Sequence, residues 1–221
     1  MGHSWGSFIG IQAAARAPQL YHAYIGVGQM SNQLSSEKQA YDYMLHRYQE
    51  LGNTDMVSEL RAAPVTAAAP LPADYLRIRD QAMHSLGVGT THDMRSVIWG
   101  LFFPSWRCRA YTIAEKVALW RGKVSALNEP LKTAYLSTDL RATVPSLDIP
   151  VYFFHGKYDY TVSYSMAKQY LASMSAPVKG FYTFDRSAHS PVYEQPDWAR
   201  TVLRDDVLTG EASLADLTVT S

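Results

Sequence analysis

The chain has 221 residues, 47% of them hydrophobic, with 20 basic residues against 20 acidic ones and a single cysteine, Cys108. That length and apolar content suffice for a sizeable core, and the even charge leaves no net field to attract nucleic acid or an anionic membrane. One cysteine excludes an intrachain disulfide, and no apolar run approaches the about 20 residues of a membrane span. With no basic-then-apolar leader at the start, a cytoplasmic location is expected.

Gly2-His3-Ser4-Trp5-Gly6 opens the chain with the spacing G-x-S-x-G. A serine nucleophile has to be lifted clear of the backbone at a sharp strand-to-helix turn, and glycines two positions before and after it relieve the crowding there. The rival reading is that Ser4 is an ordinary helix N-cap. After Ser4 a helix is predicted to residue 17, with Gly6, Gly10, Ala13 and Ala14 on one side and Pro18 ending it; residues 23–27 read as a buried strand. Turn, helix and strand make a βα unit whose first strand is expected to be lost upstream of Met1. Such a helix points its N-terminal amides at a centre where negative charge develops during acyl transfer.

From about residue 31 to 146 helical signals replace strand signals, at 39–51, 56–62, 75–86, 94–102 and 113–127. This predicts an all-helical cap, residues 33–141, inserted into a core built from residues 1–32 and 142–221. Trp99, Phe103 and Trp106 are candidates for the wall of a substrate pocket, against the plainer reading that they pack the cap on the core. Glu37, Glu50, Glu59, Glu115 and Glu129 are the carboxylates such a cap could offer to a substrate ammonium.

Residues 150–156, an apolar run led by a proline and closed by a glycine, predict a strand buried in a parallel sheet, and Asp159 follows three residues later. Met166, Tyr170, Leu171 and Met174 recur at helical spacing, 179–185 returns to strand-like content, and His189 stands in the loop beyond. Asp185 competes with Asp159 as an acid, but its place four residues before His189 suits a strand-end cap better. Histidines 22, 46, 84 and 92 lack metal-ligand spacing, and Gly26-Val27-Gly28 and Gly87-Val88-Gly89 lack the third glycine of a dinucleotide fingerprint. Neither metal nor cofactor is expected.

The order nucleophile, acid, base, with the last two each just after a predicted strand, is that of α/β-hydrolases. The chain resembles the C-terminal two-thirds of that family over residues 1–32 and 142–208. Its opening pentapeptide is similar to the elbow of the proline iminopeptidase branch and its esterase-like relatives; Asp148 to Asp159, and His189 with Glu194-Gln195-Pro196 behind it, resemble the acid strand and histidine loop. The resemblance implies an α/β fold, a mostly parallel sheet flanked by helices, and a serine hydrolase that cleaves a small ester or amide through an acyl-enzyme. Ser4 would be the nucleophile, His189 the general base and then acid, and Asp159 the residue fixing the imidazole tautomer. The Trp5 backbone N–H would be one oxyanion-hole donor. The second donor comes, in the family, from a loop after an early strand and is expected to be missing; losing one donor costs about 100- to 1,000-fold in turnover. Serine at the elbow sets the chain apart from haloalkane dehalogenases and epoxide hydrolases, which place Asp there. The alternative is a non-catalytic fragment or degenerate homologue with a binding role or none, because a bare strand edge at 23–27 and uncovered Ile9, Ile11 and Ile25 invite aggregation.

Overall fold

Every residue of the strand-like run 151–156 is buried, which requires cover on both faces of the sheet it belongs to. The computed structural model describes residues 1–68, 70–125 and 129–218, with side chains throughout these ranges except at 123–132 and 217–218. It opens with a two-residue strand β1 (Gly2–His3), helix α1 (Trp5–Arg16) and strand β2 (Tyr24–Val27). Helices α2 (Gln33–Glu50), α3 (Thr54–Ala62), α4 (Ala73–Ser85), α5 (Phe103–Arg107), α6 (Ile113–Ser125), α7 (Glu129–Ser137) and α8 (Leu140–Thr143) follow without an intervening strand. The chain then returns to strand β3 (Val151–Gly156), helix α9 (Tyr164–Ser173) and strand β4 (Lys179–Phe184), and ends in α10 (Pro191–Glu194), α11 (Pro196–Val202) and β5 (Leu217–Thr218).

The sheet runs β1-β2-β3-β4-β5, parallel as far as β4 and antiparallel at β5. Side chains alternate across a strand, so β3 sends Val151 and Phe153 to one face and Tyr152 and Phe154 to the other. On the first face they join Phe8 and Ile11 of α1 and Ala167, Tyr170 and Leu171 of α9. On the second they join Ile25 and Val27 of β2, Tyr182 and Phe184 of β4, and Ala199 and Val202 of α11. A third cluster lies within α2–α4, around Met44, Leu60, Tyr75 and Met83.

The end of the strand before the elbow, expected to be lost, is present: Gly2 pairs with Gly26 and His3 with Val27. All four residues of β2 are accordingly buried, as is Ile11; of the three isoleucines expected to lose their cover only Ile9 is exposed. Helix α2 begins six residues before the predicted start because the Asn32 side chain accepts from the Ser35 N–H at 3.0 Å, a cap that the polar run Ser35-Ser36 concealed. The helix predicted at 94–102 is replaced by a π-helical turn, Ile98–Phe102. Pro104 has no N–H to continue an α-ladder, and Phe103 instead donates back to the Ile98 carbonyl. Residues 126–128, the end of the helix predicted at 113–127, lie outside the described residues. Among the described residues no helix is long and apolar enough to cross a membrane.

A buried carboxylate, Asp206, closes the far side of the second core layer. It accepts from Tyr182 Oη at 2.7 Å, Ser213 Oγ at 2.8 Å and Leu214 N at 2.8 Å. Burial pushes its pKa up, but these donors outweigh it and leave the net shift downward. Its folded pKa lies below its unfolded one, so its contribution is complete above the ordinary Asp value of about 3.9 and fades as pH falls below that. Asp206→Asn is therefore expected to lower stability by about 1–3 kcal/mol at pH 7. In urea titrations the gap between wild type and variant should narrow by pH 3; a constant gap contradicts the assignment.

Candidate active site

The elbow is built by β1 ending against β2. Ser4 donates its N–H to the Val27 carbonyl at 2.9 Å, and its own carbonyl takes Ser7 N at 2.8 Å and Ser7 Oγ at 2.6 Å, which starts α1. Ser4 pays for this turn with φ 55° and ψ −121°, the one non-glycine residue with positive φ among those described. The two motif glycines differ in what they do. A Cβ on Gly2 would collide with the Gly6 carbonyl, whereas a Cβ on Gly6 would meet nothing within 4 Å. Gly2 alone answers to the crowding that the spacing implied. The Ser4 side chain makes no N-cap hydrogen bond to α1, so the ordinary capping reading fails.

The acid sits in the turn after β3. Asp159 N donates to the Gly156 carbonyl at 3.1 Å, and Asp159 Oδ1 accepts from Val162 N at 2.9 Å. Its other oxygen, Oδ2, lies 2.8 Å from His189 Nδ1, and both side chains are buried. Burial pushes the Asp159 carboxyl up; the neighbouring imidazoles, His189 first and then His155, more than reverse this and hold its pKa well below the ordinary carboxylate range. An ionised Asp159 accepts from His189 Nδ1, which places the hydrogen there and leaves Nε2 as the basic nitrogen. That Nε2 is buried and has no hydrogen-bond partner.

The histidine loop is held from both sides. Ala188 N donates to Glu194 Oε2 at 3.0 Å, and the other carboxylate oxygen takes His92 N at 2.6 Å from the α4–α5 connection. The same connection accepts from His189 N at the Gly89 carbonyl, 3.2 Å, and from Tyr160 N at the Val88 carbonyl, 3.2 Å. Beneath the ring, Gly28 has φ +53°, and a Cβ on it would come within 3.0 Å of His189. His3, next to Ser4, places Nε2 2.7 Å from the His189 carbonyl oxygen. Asp185, the competing acid, instead accepts from Gln195 Nε2 at 2.9 Å and points into solvent. The sequence places Glu194 in the histidine loop and His3 in the elbow without giving either a role, and gives none to His155.

A pocket of about 370 Å³ opens beside Ser4 and Trp5, walled by Met30, Leu71, Leu76, Tyr135 and Val162 and by the polar side chains of Gln33, Glu37, Arg79 and Asp80. Trp5 is the first residue of α1, so its N–H has no place in the helix's own ladder. Trp99, Phe103 and Trp106 are not among the lining residues. Trp99 is 71% exposed and packs at a tilt against Phe103, ring centroids 4.7 Å apart, while Phe102 packs against Phe103, Trp106 and Trp120. The aromatic wall is supplied by Trp5 and Tyr135 instead, rings 5.3 Å apart. Of the cap glutamates whose side chains are described only Glu37 lines the pocket, and it is not a bare carboxylate. Arg79 grips it through two bonds of 2.7 Å, Tyr75 Oη donates at 2.9 Å and Gln33 Nε2 at 3.0 Å. Glu115 caps α6 through Thr112, Glu50 and Glu59 are exposed, and the Glu129 side chain lies outside the described residues.

A parallel sheet with a strained serine after one strand, an acid after the next but one in the core and a histidine after the following strand is the architecture of the α/β-hydrolases, and the chain has that fold. No protein-family model matches it. The chain is 27% identical over 207 residues to a probable aminopeptidase, YbaC, of Bacillus subtilis strain 168; the match takes in 92% of this chain and 63% of that protein. Among solved structures it is similar to VinJ, with a TM-score of 0.55, 17% identity, and 94% of this chain and 64% of that one covered. It is also similar to a proline iminopeptidase from Mycobacterium smegmatis, with a TM-score of 0.52, 14% identity, and 91% and 62% covered. The chain thus spans less than two-thirds of the length of these relatives.

Proposed function

We propose that the protein is a serine hydrolase acting on small esters or amides, with Ser4, His189 and Asp159 as its catalytic triad. The observation that carries this reading is the positive φ of Ser4 at a strand-to-helix elbow, together with a buried Asp159–His189 pair whose Nε2 is unpartnered. Ser4 Oγ attacks the acyl carbonyl as its proton passes to His189 Nε2, and the resulting imidazolium is held by Asp159. The Trp5 N–H, at the positive end of α1, stabilises the oxyanion. His189 then protonates the leaving alcohol or amine, the bond to it breaks, and water deprotonated by the same nitrogen hydrolyses the acyl-enzyme.

The pocket favours a compact substrate with an apolar or ring-containing acyl group, set against Trp5, Tyr135 and the aliphatic wall. An aminopeptidase-like activity, the kind that the names of two relatives carry, is the narrower form of the proposal. It needs an anchor for a substrate ammonium, and the Glu37 carboxylate is already matched by Arg79; uncharged esters are the substrates we expect to be turned over fastest. A panel of p-nitrophenyl esters and prolyl-arylamides tests this. Ester turnover exceeding arylamide turnover supports the reading, preferential arylamide turnover replaces it with the aminopeptidase form, and turnover of neither contradicts it.

A further inference from the structure

We propose that His155 is a positioning residue for this hydrolysis, holding the Asp159 carboxylate in register with His189. The inference rests on the triad reading above. His155 is the penultimate residue of β3 and is completely buried. Its Nε2 lies 3.2 Å from Asp159 Oδ2, the same oxygen that His189 Nδ1 reaches at 2.8 Å, and 3.1 Å from the Val162 carbonyl oxygen. A carboxylate and a carbonyl can only accept, so Nε2 must carry a hydrogen, and the tautomer is fixed by its surroundings. Val162 closes the circuit, since its own N–H donates to Asp159 Oδ1 at 2.9 Å.

The arrangement gives Asp159 a donor on Oδ1, the His189 donor on Oδ2, and beside that oxygen, at 3.2 Å, the His155 Nε2–H that also bonds the Val162 carbonyl, which restricts the carboxylate's rotation about its last torsion. Its lone pair on Oδ2 then stays directed at His189 Nδ1, and the catalytic imidazole stays in the tautomer that leaves Nε2 basic. Packing alone does not account for a histidine here. His155 Nδ1 is buried without a partner, a cost that an apolar ring would not incur. The neighbours are the rings of Phe181, stacked at 6.1 Å, and Tyr164, edge-on at 5.9 Å, so phenylalanine would suit the cavity. The Nε2–H that links the Val162 carbonyl with the neighbourhood of Asp159 Oδ2 is what phenylalanine lacks.

The experiment compares the 221-residue chain with His155→Phe, which keeps the shape and removes the donor, and His155→Gln, which returns a donor near the Nε2 position. Ester hydrolysis is followed as kcat and KM separately, and imidazole N–H protons are observed by NMR downfield of the amide region. We expect His155→Phe to lower kcat by about 10- to 100-fold, the scale of a displaced catalytic group, with KM within about twofold, and His155→Gln to recover most of the loss. The wild type should show two protected imidazole N–H resonances, of which His155→Phe removes one and shifts the other. A folded His155→Phe with wild-type kcat, a His155→Gln variant as slow as the Phe one, or a His189 resonance that neither substitution moves would overturn the proposal. If His155→Phe fails to fold, the Gln variant decides: a shifted His189 resonance with near-wild-type kcat supports the role, and an unshifted one overturns it. Absence of ester turnover in the wild type would overturn the hydrolase reading instead, and the two resonances would still report whether His155 is bonded to Asp159.

Discussion

Ser4→Ala is expected to abolish ester hydrolysis, while Ser4→Gly is expected to abolish it and stabilise the fold. The first effect follows from the role of Oγ: without a nucleophile no acyl-enzyme forms, and losses on the order of 10⁴- to 10⁶-fold accompany removal of such a serine. The second follows from the backbone. Ser4 is held at φ 55° and ψ −121° by the Val27 carbonyl on one side and the start of α1 on the other. A side-chain-bearing residue there costs about 1–3 kcal/mol, most of which glycine escapes. Urea midpoints of the two variants, measured beside their rates, separate the effects. A serine that served only as a loop residue would leave turnover intact in Ser4→Ala, and an unstrained one would give Ser4→Gly no gain. The same test on His189→Ala should also give no turnover.

Asp159→Asn is the second large effect, a fall in kcat of about 10⁴-fold with substrate binding little changed. An asparagine of the same shape can turn its NH₂ toward His189 Nδ1, where the native oxygen accepts at 2.8 Å. The imidazole would then have to carry its hydrogen on Nε2, the nitrogen that must take the proton from Ser4. Asp159→Asn also strips a charged acceptor from His189, His155 and the Val162 N–H, so stability should drop by about 1.5–3 kcal/mol at neutral pH. Steady-state kinetics with a p-nitrophenyl ester give the first number and urea unfolding the second. Activity within tenfold of wild type would remove Asp159 from the triad.

The parts of the fold that the sequence makes legible are those where one local pattern has one physical meaning. The run at 151–156 had to be a doubly covered strand, and it is buried end to end. The βα turn at Ser4 could be recognised because G-x-S-x-G carries a backbone requirement. The structure narrows that requirement to Gly2. The start of α2 and the π-helical turn at Ile98–Phe102 were illegible for the opposite reason. One depends on an Asn32 side chain competing with the neighbouring serines for the cap, and the other on how a helix absorbs Pro104 once its neighbours are packed. Which aromatic residues line the pocket beside Ser4 was illegible on the same grounds. Trp99, Phe103 and Trp106 are as apolar as Trp5 and Tyr135, and residue type does not record which way a helix is turned.

By itself the sequence determined the class of architecture and the order of the three chemical groups, because strand burial, elbow strain and chain order are properties of short segments. Only the tertiary structure decided which side chains meet. It brought Asp159 Oδ2 to His189 Nδ1 across 30 residues, set His155 against the same oxygen, and closed Glu37 with Arg79 from another helix. The first and last of those contacts join residues 30 and 42 positions apart, and their geometry depends on the packing of the elements between them.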